Sequence, residues 1–410
     1  MAWNFGDMLD VVAASIPGDA PAFIHGNRTV TWSEADQASN NLARGLIARG
    51  AKPGDKLAIY MRNRPEYLIA LSAAWKARMT HVNVNYRYTP EEVWYIFDNS
   101  DAQTVVYASE FRDAVIEIQP RLPNVKTWIE VSTDGKTAPF AEPFEALEDE
   151  GNGGPLDIVR SGDDQFFIYT GGTTGMPKGV MWTHDDLREI TLQGARRMGP
   201  VPETLEAFAA HTKTVGPGGR ILPAPPLMHG TGLLTAMGAM LSGGCVITLE
   251  AETFDAEELL ATIDAHKPTS MAIVGDAFAK PILNALNSAP GRYDVSSVAS
   301  IVSSGVMWSL EVKQGLLRDI AVRSAHFALI PAMVAGSLLV LTTGRLFCQR
   351  YVDVLPVRIV RCPVTFPPLA YYQLWHDLTH ESASVRWLRE CVRDVARNVA
   401  VRPRLGVATA

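Results

Sequence analysis

The stretch FFIYTGGTTGMPKGVMWTH, Phe166–His184, decides how the rest of the chain is read. Four glycines, three threonines and one lysine fall between Tyr169 and Gly179, directly after a run of β-forming residues. Glycine lets backbone N–H groups approach an anion without side chains in the way. Thr170, Thr173 and Thr174 add hydroxyls suited to phosphate oxygens or a Mg2+ shell, and Lys178 adds a positive charge. Gly179 follows Lys178, so the Gly-Lys-Ser/Thr of a Walker A loop does not occur. "VMW" continues as strand. The spacing therefore predicts a phosphate-holding loop between two strands, with no helix dipole behind it.

The chain of 410 residues is long enough for two or three cores. It is 20% charged with a formal net charge of −7, which argues against a general nucleic-acid binder. No basic region precedes a long apolar run in the first 20 residues, so no secretory signal is expected. Cys245, Cys348, Cys362 and Cys391 have no CxxC spacing. Neither a disulfide framework nor a zinc knuckle is expected, and a cytoplasmic location follows. These averages conceal a seam. Residues 318–410 carry twelve Arg, no Lys and six acids, whereas residues 1–317 carry 25 basic and 38 acidic groups. Glycine falls from 29 before the seam to three after it. Such a shift marks two sequences of different origin.

Before the seam, strand and helix signals alternate. Thr31 and Glu34 form a capping-box pattern for a helix that Gly50 closes, and "KLAIYM" (Lys56–Met61) reads as a strand. Pro65 opens the next helix, "THVNVNY" alternates like a strand, and Thr89 with Glu92 caps another helix before "TVVYA". Residues 132–164, rich in Gly, Pro and acids, read as a linker or exposed loops. Alternation resumes through "CVITLE", "SMAIVG" and "VASIVSSGVMWS". This is an α/β architecture with helices covering the sheets.

"YTGGTTGMPKGV" resembles the signature of the adenylate-forming acyl-CoA synthetases, the AMP-binding ligases, with Gly171 where that family usually has serine. Bacterial fatty-acyl and steroid-side-chain ligases are similar in this respect. "TWSEADQASNNLARGLIARGAKPGDKLAIYMRN", "WKARMTHVNVNYRYTPEEVWYIFDNS" and "PLMHGTG" follow in family order, so the resemblance covers 1–317. It implies the large N-terminal domain of that fold, built of layered αβ subdomains. It implies that a fatty or steroid side-chain carboxylic acid reacts with ATP to give acyl-AMP and pyrophosphate, after which coenzyme A takes the acyl group. By motif, Thr170, Gly171, Gly172, Thr173, Thr174, Gly175 and Lys178 would bind ATP, with Thr174 near Mg2+. His229 would lie beside the acyl-adenylate, Gly275 and Asp276 in the acyl pocket, and Ser304 and Gly305 along the adenine.

The family's later motifs, for Mg2+, for the ribose and for the adenylation lysine, find no match after "SSGV". Lys313 is the last lysine of the sequence. Since positioning and charge neutralisation carry most of nucleotidyl transfer, adenylation is expected to be severely impaired. From about 319 to 397 the chain is instead similar to the end of LysR-type transcriptional regulators, through "AHFALIPAMVAGSLLVLTTGRL" and "LWHDLTHESASVRWLRECV". That resemblance implies a partial periplasmic-binding-protein-like α/β fragment with neither a DNA-binding helix pair nor a complete effector cleft. It makes the charge-free run Ser324–Gly344 a helix and strand rather than a membrane span, and His376-Asp-Leu-Thr-His380 regulator sequence rather than a zinc site. Trp387, Leu388, Cys391, Val392 and Val395 form an apolar stripe, which reads as a surface helix packed on a core. The expectation is a chimera of a truncated ligase domain, 1–317, and a regulator fragment, 318–410, poorly soluble because each half leaves strands uncovered. Three function classes stay open: an acyl-CoA ligase, a ligand-binding or regulatory fusion without turnover, and a nonfunctional fusion product.

Overall fold

The computed structural model describes residues 3–172, 175–196 and 200–306, then 308, 309, 312, 313, 316, 352, 354, 355, 358, 359, 386, 387 and 390–393. The chain divides into two units, Met1–Ile320 and Ala321–Ala410. Most of the LysR-like stretch, including 324–344 and His376–His380, lies outside the described residues. In the second unit Trp387 and Val392 are exposed, so these two members of the apolar stripe are not packed inward.

The strands of the first unit open with β1 (Pro21–His25), β2 (Arg28–Thr31), β3 (Lys56–Tyr60), β4 (Thr80–Asn83) and β5 (Ala102–Ala108). They continue with β6 (Thr127–Val131), β7 (Glu142–Pro143), β8 (Gln165–Gly172) and β9 (Gly175–Thr183). Last come β10 (Arg220–Pro223), β11 (Cys245–Thr248), β12 (Ser270–Ile273) and β13 (Ser300–Ser303). The helices begin with α1 (Phe5–Ala13), α2 (Trp32–Ala48), α3 (Pro65–Lys76), α4 (Pro90–Asn99), α5 (Arg112–Ile118) and α6 (Phe144–Glu148). They end with α7 (His184–Arg196), α8 (Leu205–Val215), α9 (Gly230–Leu241), α10 (Ala256–His266) and α11 (Gly275–Ser288). Both expected capping boxes form, Thr31 with Glu34 and Thr89 with Glu92. The strand expected across "THVNVNY" stops at Asn83. Residues 132–164 are more ordered than their composition suggests, because Phe144 and Leu147 of α6 are fully buried and Leu147 packs against α2 at Gly45.

Two sheets result, in the orders β13-β12-β10-β11-β1-β2 and β7-β6-β5-β3-β4-β8-β9. Pairing is parallel except for β1–β2 and β8–β9. Alternation along each strand sends side chains to opposite faces. Leu57 and Ile59 join a central core with residues of α1, α2, α3 and α9, while Ala58 and Tyr60 join a second core with α4 and α5. A third core sets α10 and α11 against the far face of the first sheet. Five layers follow, helix–sheet–helix–sheet–helix, with α1, α2, α3 and α9 in the middle.

Polar groups inside the central layer are paired through long-range contacts. Lys76, at the end of α3, is 1% exposed and meets Asp36 at 2.5 Å, Asn40 at 2.7 Å and Asp10 at 3.3 Å. Arg160 ties the segment before β8 to Asp10 at 2.7 Å and to the Lys76 carbonyl at 2.9 Å. His184, the last residue of the opening motif, belongs to this layer. Its Nδ1 accepts the Phe5 N–H at 3.0 Å, and its ring stacks on Phe5 with centroids 4.4 Å apart. His81 is also fully buried, against Phe166, and neither of its ring nitrogens has a hydrogen-bond partner among the described residues.

Burial lowers the pKa of His81 to about 3 and that of His184 to about 4. Both are neutral in the fold and protonate near the ordinary value of 6.5 when unfolded. Their contribution is therefore intact above about pH 6.5 and is lost as pH falls towards 4. Urea titrations at pH 7.5 and 5.0 should show a stability loss on the order of 3 kcal/mol from the pair. His81→Leu should remove about half of that pH dependence; an unchanged dependence would contradict this reading.

Candidate functional site

Parallel strands bring their carboxyl ends, and the loops that leave them, to one edge of a sheet. In the first sheet β10 runs on through α9 to its neighbour β11, whereas β12 runs on through α11 to β13 on the other side. Strand order reverses between β10 and β12, with α9 and α11 on opposite faces. Ligands of open α/β sheets bind in the crevice at such a switch point. The segments that open this crevice are the loop Ala224–His229 after β10, the N-cap and first residues of α11, Val274–Asp276, after β12, and the turn Ser304–Val306 after β13.

These loops touch one another. The Gly275 N–H donates to Ser303 Oγ at 3.1 Å, and the Ser304 N–H to the Ile273 carbonyl at 3.3 Å. A Cβ placed on Gly305 would lie 3.8 Å from Thr231 Oγ1, so the turn after β13 reaches the first turn of α9. The phosphate-type loop joins them from the second sheet. Strands β8 and β9 pair with Thr170 opposite Lys178 and Gly172 opposite Gly175, which is the expected loop between two strands. Thr170 and Lys178 are both exposed on this hairpin. Thr173 and Thr174 lie outside the described residues. A Cβ on Gly230 would sit 3.8 Å from Ile168 Cδ1, placing the hairpin beside the start of α9. Gly179 packs closely on Tyr169, since a Cβ there would come within 3.0 Å of the ring.

His229 is the N-cap of α9 and is exposed, with its N–H donating to the Pro226 carbonyl at 3.0 Å. Partial desolvation and the charge of Arg87 hold its imidazole below the ordinary histidine value. A neutral ring can accept a hydrogen bond from a substrate. Asp276 is engaged within the protein. Its carboxylate accepts the Ser309 N–H at 2.9 Å and pairs with Lys280 at 3.2 Å. The Ser309 bond holds the carboxyl below the usual range, so Asp276 serves to pin the segment after β13 to α11.

Residues that motif reading did not single out hold the β10 loop. The Leu227 N–H donates to Asn63 Oδ1 at 2.7 Å, and the buried Tyr67 hydroxyl donates to the Leu227 carbonyl at 3.3 Å. Asn83 Nδ2 donates to the Met228 carbonyl. The spacing of these residues carries no signal, because the partners lie 145 to 164 positions away. Beside this loop a cleft of about 180 Å³ includes His25, Arg62, Arg64, Tyr86, Glu110 and Glu250, but Arg62 and Arg64 already pair with Glu110. Among the described residues no group of three or more His, Cys, Asp or Glu side chains could hold a metal, and no helix is long and apolar enough to cross a membrane.

The layered α/β domain thus sets a Gly/Thr/Lys hairpin of one sheet beside the switch-point loops of the other. Residues 9–326 match the AMP-binding enzyme family, and the chain belongs to that family. It is 34% identical over 325 residues to the medium/long-chain-fatty-acid–CoA/3-oxocholest-4-en-26-oate–CoA ligase of Mycobacterium marinum. It is 35% identical over 325 residues to the 3-oxocholest-4-en-26-oate–CoA ligase of Rhodococcus rhodochrous. Each alignment covers 77% of this chain, and the chain spans 58% of the length of those relatives. The crystal structure of a long-chain-fatty-acid-CoA ligase from Archaeoglobus fulgidus shares the fold, with a TM-score of 0.64 and 22% identity over 77% of this chain and 60% of that one.

Two glycines of α9 test how tightly the crevice is built. A Cβ on Gly232 would meet the carbonyl oxygens of Pro226 at 2.5 Å and Pro225 at 2.7 Å, both backbone atoms that cannot swing aside. A Cβ on Gly238, one helix turn and a half later, meets nothing within 4 Å. Gly232→Ala should destabilise by about 2–4 kcal/mol, whereas Gly238→Ala should be neutral or stabilising by up to about 1 kcal/mol. Urea midpoints of the two variants check this; equal effects would mean that the 225–232 packing is wrong.

Proposed function

We propose that this chain is the nucleotide-binding part of an ATP-dependent acid–CoA ligase acting on a hydrophobic carboxylic acid of the fatty or steroid side-chain type. The observation that carries the reading is the convergence of the Thr170–Lys178 hairpin with the three switch-point loops. In this reading the acid's carboxylate oxygen attacks the α-phosphorus of ATP, and the bond to pyrophosphate breaks. The sulfur of coenzyme A then attacks the acyl carbon, AMP leaves, and the thiol proton is released. The Lys178 ammonium and the hairpin N–H groups neutralise the phosphates, Thr170 donates its hydroxyl, and His229 sits where the acyl-adenylate forms. Ser304 and Gly305 flank the base, and Gly275 closes the acyl side. By motif, Thr174 would help hold a Mg2+ brought in with the nucleotide. Bound there, Mg2+ would screen charge between phosphate oxygens. The cytoplasm, where ATP and coenzyme A are present, is the location this chemistry implies.

No lysine follows Lys313, and basic and acidic residues change balance abruptly at 317/318. We infer that residues 318–410 are a LysR-like regulator fragment and that these 410 residues bind MgATP with little or no turnover. The composition change supports a joining of two genes, and sequencing the genomic DNA across codons 310–325 tests it directly.

Calorimetric titration with MgATP should show saturable binding that Lys178→Ala weakens at least tenfold. Pyrophosphate exchange driven by a fatty acid should stay close to background. Absence of saturable MgATP binding, or equal affinity in Lys178→Ala, would sink the phosphate assignment; rapid exchange would sink the inactivity.

A further inference from the structure

Strand β4 ends at Asn83, and its backbone pairs with β8 at Val82 opposite Phe167. Beyond that point the Asn83 side chain continues the ladder. Its Oδ1 accepts the Tyr169 N–H at 2.8 Å, and its Nδ2 donates to the Tyr169 carbonyl at 3.3 Å. A carboxamide is chemically a peptide group, so it pairs with Tyr169 as a strand residue would. The second Nδ2 hydrogen goes to the Met228 carbonyl, immediately before His229. Asn83 is 2% exposed, so each of these groups would be costly to leave unpaired. One side chain thus holds the base of the phosphate-type hairpin and the loop that carries His229.

We propose that Asn83 is a positioning residue that sets the hairpin and the His229 loop in register, so that triphosphate and acyl group are presented together. Asn83 touches neither substrate; it acts through Tyr169 and Met228. The same hairpin is anchored laterally by the Tyr169 hydroxyl, which donates to Asn99 Oδ1 at 2.9 Å, so loss of Asn83 shifts the hairpin relative to the loop rather than releasing it. The register has a measurable meaning without any ligand: both segments loosen together when the carboxamide is removed. Its consequence for nucleotide binding rests on the proposed function above.

The test compares the full chain with Asn83→Leu and with Asn41→Leu, by hydrogen exchange and by MgATP titration. Asn41 is an apt control because it is buried and bridges the Glu148 carbonyl at 2.7 Å and the Gly153 N–H at 2.8 Å, far along α2. Asn83→Leu should speed exchange in residues 165–183 and in 224–230 together and weaken MgATP about tenfold, whereas Asn41→Leu should do neither. Should Asn83→Leu fail to fold, Asn83→Asp serves, since it keeps an acceptor for Tyr169 and loses both donations; it should loosen 224–230 more than the hairpin. Faster exchange in only one segment of Asn83→Leu, or the same pattern in Asn41→Leu, overturns the proposal. Unchanged MgATP affinity beside coupled exchange also overturns it. If the unaltered chain binds no MgATP, the function above fails while the exchange comparison still decides the role of Asn83.

Discussion

The structure depends on a loop that both sheets must hold. Residues 225–229 leave the first sheet after β10, and their carbonyls and N–H groups sit where water is largely excluded. Buried backbone groups need partners. Those partners are Asn63 in the loop after β3, Tyr67 of α3 and Asn83 at the end of β4. The carboxyl edges of the two sheets are therefore brought together by hydrogen bonding as well as by the shared apolar layer. Without this constraint the hairpin of the second sheet and the switch-point loops of the first would be separate features. With it, they form one crevice.

The crevice is shaped by close packing around small residues. Gly232 lets α9 start against the carbonyls of Pro225 and Pro226, and Gly179 lies under the Tyr169 ring. Below it, Lys76, Arg160 and their carboxylates tie α1, α2 and α3 to the segment that leads into β8. Breaking a buried ion pair by removing one partner commonly costs about 3–5 kcal/mol, so this network holds the entry of the hairpin firmly. Precise placement of the loops follows from elements that do not themselves contact the crevice.

The parts of the molecule legible in the sequence are those governed by local rules. Thr31 with Glu34 and Thr89 with Glu92 mark helix starts because the capping bonds span three residues. The hairpin is legible because β-forming residues flank Gly171–Gly175 on both sides. Residues whose role is set by distant partners were not. Asn83 sits in a stretch that reads as plain strand, yet its partners are 86 and 145 positions away. Asp276 reads as a pocket acid and is occupied by Ser309 and Lys280. Helix α6 hides in an acidic, Gly- and Pro-rich segment because Phe144 and Leu147 show their role only once they are buried in the central core. His184, inside the most recognisable motif, caps the core rather than the crevice.

The proposed function requires four separated segments to form one nucleotide site. Hydrogen exchange of the full chain with and without MgATP tests it most directly. Joint protection of 165–183, 225–232, 274–276 and 303–306 is expected, with α2 and α10 unchanged. Protection confined to the hairpin, or none at all at saturating nucleotide, would contradict it.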